Sequence, residues 1–184
     1  MGTTILLLTV FVIAQVELAA LTRRQWPLRA FLWLVWLALP LYLLARIRDS
    51  HGPAALMILF VLIVVSDSAQ FFAGRAFGRR KLAPVISPKK TIEGAIGGLV
   101  ASMAIAPWLG SLWLPGAPML RMALLGAAIA VAGMAGDLFE SWLKRRAGVK
   151  DSGNLIPGHG GILDRIDAWL FAAPVYFAFL RYVA

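Results

Sequence analysis

The chain has no cysteine. Disulfides are excluded, and cysteine usage says nothing about redox compartment. Negative charge is scarce: 9 Asp and Glu stand against 18 Lys and Arg in 184 residues, a formal net charge of +9. No Gly-x-x-x-x-Gly-Lys-Ser/Thr stretch occurs, which disfavours a P-loop nucleotidase. There is no internal repeat and no low-complexity tract. The first apolar segment lacks a basic leader, and Glu17 sits where a small-residue cleavage site would fall. That segment is read as a retained helix and not a signal peptide.

What the chain has is apolar length. Hydrophobic residues make up 60% of it, with a mean hydropathy of +0.79. They come in blocks that match the ~20 residues a helix needs to cross a hydrocarbon core. Thr3–Leu21, Ala54–Ala73, Ile92–Trp113 and Met122–Leu143 are nearly unbroken. Trp26–Ala45 is rich in Leu and Trp, and Ile166–Tyr182 is shorter. The expected fold is all-α: a polytopic membrane helical bundle of about six transmembrane helices. Residues 1–52 would form two N-terminal membrane helices, and 53–184 a four-helix catalytic part.

The basic residues are asymmetric. Of the 18, only Arg46, Arg48, Arg121 and Arg181 fall in the second, fourth and final connections. The rest crowd the loops after the first, third and fifth segments. Positive-inside bias puts those loops in the cytoplasm and both termini outside. The first two segments carry little chemistry: Glu17 reads as interfacial, and Trp26, Trp33 and Trp36 suit interfacial belts or lipid contact. His51-Gly52-Pro53 reads as a turn.

The second part is different. Asp67, Asp137 and Glu140 interrupt apolar helices, where an ionised carboxylate is costly and usually faces a polar cavity. Gly133, Asp137, Glu140, Ser141 and Lys144 fall on one helical stripe, expected to line a cavity near the cytoplasmic face. Asp164 and Asp167 stand one turn apart at the start of the sixth segment, a place that also suits a helix dipole. Hard divalent cations take oxygen ligands, commonly one or two carboxylates plus substrate phosphate. Asp137 and Asp164 are the best ligand pair. Between these helices runs Lys150-Asp-Ser-Gly-Asn-Leu-Ile-Pro-Gly-His159-Gly160-Gly161. Its glycines let backbone amides approach an anion. His159 suits either a phosphate contact or the shaping of the loop. Lys89 and Lys90, just before the fourth helix, suit an anion site or ordinary topology equally. Arg79, Arg80 and Lys81 read as topological or headgroup contacts. Together these features suggest phosphoryl or nucleotidyl transfer to a lipid.

Two blocks carry a resemblance. Ser141-Trp-Leu-Lys144-Arg145, Lys150-Asp-Ser-Gly153 and Ile156-Pro-Gly-His159-Gly160-Gly161-Ile-Leu-Asp164-Arg165-Ile-Asp167 resemble the signature of the CDP-diacylglycerol synthases, or phosphatidate cytidylyltransferases. Asp67-Ser68, Gly74-Arg75, Phe77-Gly78, Lys81-Leu-Ala-Pro84 and Ser87-Pro-Lys89-Lys90-Thr-Ile-Glu-Gly94 look like that family's other polar block. The resemblance runs from about Ala54 onward. It implies transfer of the cytidylyl group of CTP to phosphatidate, giving CDP-diacylglycerol and pyrophosphate, with Mg²⁺ and room for a second cation. By motif position, Asp137 and Asp164 would hold the metal, supported by Asp67 and Asp167. Lys89, Lys90, Lys144, Arg145, Lys150 and Arg165 would neutralise phosphates. Ser87, His159, Gly160 and Gly161 would shape the site. The implied setting is a bacterial inner membrane with the site facing the cytoplasm, no nucleic acid partner, and a homodimer as candidate assembly. Bacterial members usually have a longer N-terminal region than the ~50 residues here, which span two helices' worth of bilayer. Competing readings are a CTP-dependent polyprenol or phytol kinase, a cytidylyltransferase for another lipid phosphate, and a catalytically idle membrane subunit. A transporter is disfavoured, because the carboxylates cluster near one face and not at the midplane.

Overall fold

A computed structural model describes residues 2–22, 26–114, 116–153 and 160–182. Six helices account for most of it: α1 (Gly2–Leu21), α2 (Trp26–Phe31), α3 (Leu39–Phe77), α4 (Ile92–Trp113), α5 (Met119–Arg146) and α6 (Leu163–Tyr182). Leu32–Ala38, between α2 and α3, is wound as a π-helix. Its physical reason lies just downstream. Pro40 has no amide to donate, and its ring crowds the carbonyl four residues back. Widening the preceding turns absorbs that conflict.

Three helical runs are long and apolar enough to cross a membrane: Arg29–Phe77, Ile92–Trp113 and Met119–Arg146. The shorter Ile5–Leu21 is also apolar. This is an all-α membrane protein. The run Arg29–Phe77 breaks at Gly52, whose φ of 78° is left-handed, and Pro53 restarts the helix. The expected turn at His51–Pro53 is thus a sharp kink inside one long helical run. At 1.5 Å per residue α5 is about 42 Å long, more than a ~30 Å hydrocarbon core needs.

α3 packs on α4, α4 on α5, α5 on α6, and α6 back on α3, closing a four-helix ring. Small residues make the crossings tight. A Cβ on Gly136 of α5 would overlap the Asp167 carbonyl of α6, and one on Gly126 would overlap the Ser102 carbonyl of α4. A Cβ on Gly94 of α4 would sit 2.7 Å from the Gln70 carbonyl of α3. Apolar packing between helices cannot rely on water exclusion in lipid, so close backbone approach does the work.

The π-helical turns pack against this ring through aromatics. Trp36 meets Phe139 edge-on at 5.1 Å, and Phe139 in turn contacts Trp142 and Phe171. Trp36 is buried, which corrects its assignment to a lipid-facing belt. Trp33 stays exposed and pairs with Phe11 of α1.

One element was not expected. β1 (Lys81–Ala83) and β2 (Ser87–Thr91) pair as an antiparallel hairpin between α3 and α4. Thr91 ends β2 and caps α4, its hydroxyl accepting the Gly94 amide at 3.1 Å. Glu93 reaches back and accepts the Arg79 and Arg80 amides, which fixes the entry to the hairpin.

Candidate active site

The four helices and the hairpin bring the polar residues together at one end of the ring. Asp67, Gln70, Phe71, Gly74 and Arg75 of α3, Leu82 of β1, Lys89 and Lys90 of β2, Thr91, Gly94 and Ala95 at the start of α4, and Asp137 of α5 line a cavity of ≈ 450 Å³. Lys90 Nζ donates to the Asp137 carboxylate across it. Gln70 donates to Asp67 at 3.3 Å and to the Ser66 hydroxyl at 3.1 Å. The α3 lining falls at i, i+3, i+4, i+7 and i+8 from Asp67, one helical stripe. That periodicity could have picked out Gln70 and Arg75, which sequence reasoning passed over as site residues.

A second cluster lies beside the first. Lys144 Nζ bridges Glu140 and Asp164, the latter at 2.5 Å. Asp164 also accepts from the Ser152 amide (3.0 Å), the Ser152 hydroxyl (3.0 Å) and the Gly161 amide (2.8 Å). Asp167, whose carboxylate also accepts the Ala168 amide, links the two clusters. Its carboxyl lies beside Asp137 on one side and Glu140 on the other. The result is a ribbon of charge from α3 through β2, α5 and α6.

The expected stripe on α5 is therefore divided. Asp137 lines the cavity, whereas Glu140 is buried with Lys144 against α6. Gly133 packs on Ala168 of α6. This corrects the expectation that the whole stripe lines one cavity. The physical reason is the α5–α6 crossing at Gly136, which presses that face of α5 onto its neighbour. Asp137 and Asp164 hold different lysines, Lys90 and Lys144.

The remaining candidates sit around this core. Ser87 begins β2, opposite Ala83. Arg145 donates to the carbonyls of Ile86 and Val149, so it ties the hairpin turn to the end of α5. Lys150 and Arg165 are exposed. Gly160 has a φ of 80° and lies against the Asp164 carboxylate. His159 lies outside the described residues.

Glu17 is the residue most misjudged by sequence reasoning. It is 8% exposed and lies against the α6 end of the ribbon, not at a lipid interface. Its carboxylate accepts the Ile162 and Leu163 amides at 2.9 Å and shares the one Ser152 hydroxyl proton, at 3.0 Å, with Asp164. The signal was there: a carboxylate in an apolar helix seeks buried partners.

Among the described residues, no three His, Cys, Asp or Glu side chains group as a preformed metal cage. The donor chemistry still suits a hard cation. Asp137, Glu140 and Asp164 hold Lys90 and Lys144, and Asp67 and Asp167 add further carboxylate oxygens beside them. Two of these carboxylates, Asp67 and Asp137, share the open cavity. Carboxylate oxygens are what Mg²⁺ takes, and substrate phosphate completes its shell.

Comparison with known proteins then decides the family. The sequence model of the cytidylyltransferase family matches residues 1–183. The chain belongs to that family. Among its relatives, a phosphatidate cytidylyltransferase of Haemophilus influenzae is 42% identical over 137 residues, covering 72% of this chain and 48% of the relative. One from Pseudomonas aeruginosa is 51% identical over 127 residues, 67% of this chain and 47% of the relative. One from Bacillus subtilis is 44% identical over 133 residues, 72% and 49%. The chain spans about half the length of the curated relatives it matches.

Proposed function

We propose that this cytidylyltransferase-family chain transfers the cytidylyl group of CTP to phosphatidate, forming CDP-diacylglycerol and pyrophosphate. The observation that carries the reading is the cavity where Asp67, Lys89, Lys90 and Asp137 meet from α3, β2 and α5. One oxygen of the phosphatidate phosphate forms a bond to the α-phosphorus of CTP. The bond from that phosphorus to the bridging oxygen of the β-phosphate breaks, and pyrophosphate leaves. The nucleophile is already an anion, so no general base is needed.

Each side chain then has a task. Lys89 and Lys90 would bind phosphate oxygens at the cavity, and Lys144 would do so beside it. Arg75 adds positive charge to the same wall. Phe71, Leu82 and Ala95 give the cavity an apolar side on which acyl chains could rest. Asp137 would hold Mg²⁺, with Asp67 across the cavity. Asp164, the partner expected from sequence, would take part once Lys144 turned to phosphate. When bound, Mg²⁺ supplies charge neutralisation for the transferring phosphoryl group. Asp167 behind Asp137 would orient it.

The relatives named above are phosphatidate cytidylyltransferases, which supports the same substrates here. The site is assigned to the cytoplasmic face of a bacterial inner membrane, because the basic loops flank it. Purified protein given CTP, phosphatidate and Mg²⁺ should release pyrophosphate and form a CDP-lipid. Release of CDP with a phosphorylated lipid would instead indicate a kinase. Product formation by Asp137→Asn equal to that of the unmodified chain would refute the assignment.

A further inference from the structure

We infer that Glu17, on the first helix, is a positioning residue for the catalytic ribbon. It acts through Ser152 and the first turn of α6 on Asp164 and Lys144. The inference rests on the cytidylyl-transfer reading and goes beyond it, since it gives the N-terminal helix a part in the site.

Three observations carry it. Glu17 is almost fully buried, and both oxygens are used: Oε1 by the Ile162 amide, Oε2 by the Leu163 amide and the Ser152 hydroxyl. The space around it is reserved. A Cβ on Gly153 would lie 2.8 Å from Glu17 Oε1, and one on Gly161 would overlap both oxygens. Ser152 is shared: its hydroxyl lies 3.0 Å from Glu17 and 3.0 Å from Asp164. Glu17 thus supplies from another helix the carboxylate cap that the α6 N-terminus needs. Asp164 sits one residue past Leu163, so fixing that turn fixes the carboxylate that holds Lys144. Residues that orient a catalytic group from behind typically change activity about 10–100-fold.

The experiment uses the full chain, with Glu17→Gln as the near-isosteric variant, Glu17→Ala, Ser152→Ala and the Glu17→Gln/Ser152→Ala double variant. Hydrogen exchange across residues 160–168 should rise at least about tenfold in Glu17→Gln, with α3 and α4 unchanged. In the same variant kcat should fall about 10–100-fold while KM for phosphatidate stays within about twofold. The double variant should lose no more than about threefold beyond the worse single one, because Glu17 and Ser152 hold the same turn and the same Asp164 carboxylate. Unchanged exchange, unchanged kcat, or losses that multiply would each overturn the inference. Absence of CDP-lipid in the unmodified chain would instead sink the transfer reading. The exchange measurement would still decide whether Glu17 holds the turn.

Discussion

Lys90 and Lys144 each hold carboxylates, but in different surroundings. The Lys90–Asp137 pair faces the cavity, with side chains 22% and 24% exposed. Lys144 and Glu140 are 11% and 1% exposed. Removing one partner from a buried pair strands the other charge, at a cost of about 3–5 kcal/mol. Lys144→Met should therefore lower both stability and turnover, read by thermal unfolding in detergent and by CDP-lipid formation. Lys90→Met should cost less stability than Lys144→Met, because its partner is more exposed, yet cut turnover about 10²–10³-fold, the usual cost of losing one stabilising donor. Equal stability loss in both variants would contradict the burial difference. Asp137→Asn should likewise abolish most product while remaining folded. At this scale the sequence was partly legible. Asp67, Asp137, Asp164, Asp167, Lys90 and Lys144 stood out because charge in an apolar helix needs a reason. Glu17 did not, because its partners lie 135 and more positions away and only folding brings them near.

At the scale of elements, glycine decides where helices cross. Gly136 lets α5 touch the Asp167 backbone, and that contact sets Asp137 beside Asp167. Gly136→Val would force the helices apart and should destabilise by about 1–3 kcal/mol. Activity should drop further than that loss of folded protein explains, because the carboxylates move with the helices. The check is specific activity corrected for the folded fraction. The helices themselves were legible from apolar length alone. The hairpin was not: Lys81–Thr91 has no alternating hydrophobicity, and its apolar residues Leu82–Ile86 are broken by Pro84. Its strands form because Glu93 and Thr91 fasten one end and Arg145 the other. The π-helical turns were hidden for a related reason, since they follow from where Pro40 falls in a run that otherwise reads as plain helix.

For the whole molecule, the absence of cysteine is an experimental advantage. Single cysteines at Val85 in the hairpin turn and Met119 at the start of α5 would both be exposed, at 87% and 76% in the parent residues. In sealed membrane vesicles of known orientation, a membrane-impermeant thiol reagent should label Val85→Cys from the side proposed as cytoplasmic and Met119→Cys from the other. Labelling of both from one side would overturn the assigned orientation. Adding a strong chelator should stop CDP-lipid formation, and Mg²⁺ should restore it. Persistence of full activity in chelator would remove the metal from the proposal.

The lysine pairs have a consequence for how ligands enter. Neither Lys90 nor Lys144 waits with an empty hand; each already has a counter-ion. In the proposed reaction nucleotide binding is a barter of partners: phosphate takes the ammonium, and a carboxylate is released in a half-buried place where it needs new company. Divalent cation and CTP should therefore help one another to bind, and by thermodynamic reciprocity to the same degree. Titration of CTP into the chain without lipid should show affinity rising with Mg²⁺ by more than the formation of the Mg²⁺–CTP complex in solution accounts for, and Lys90→Met should erase the excess.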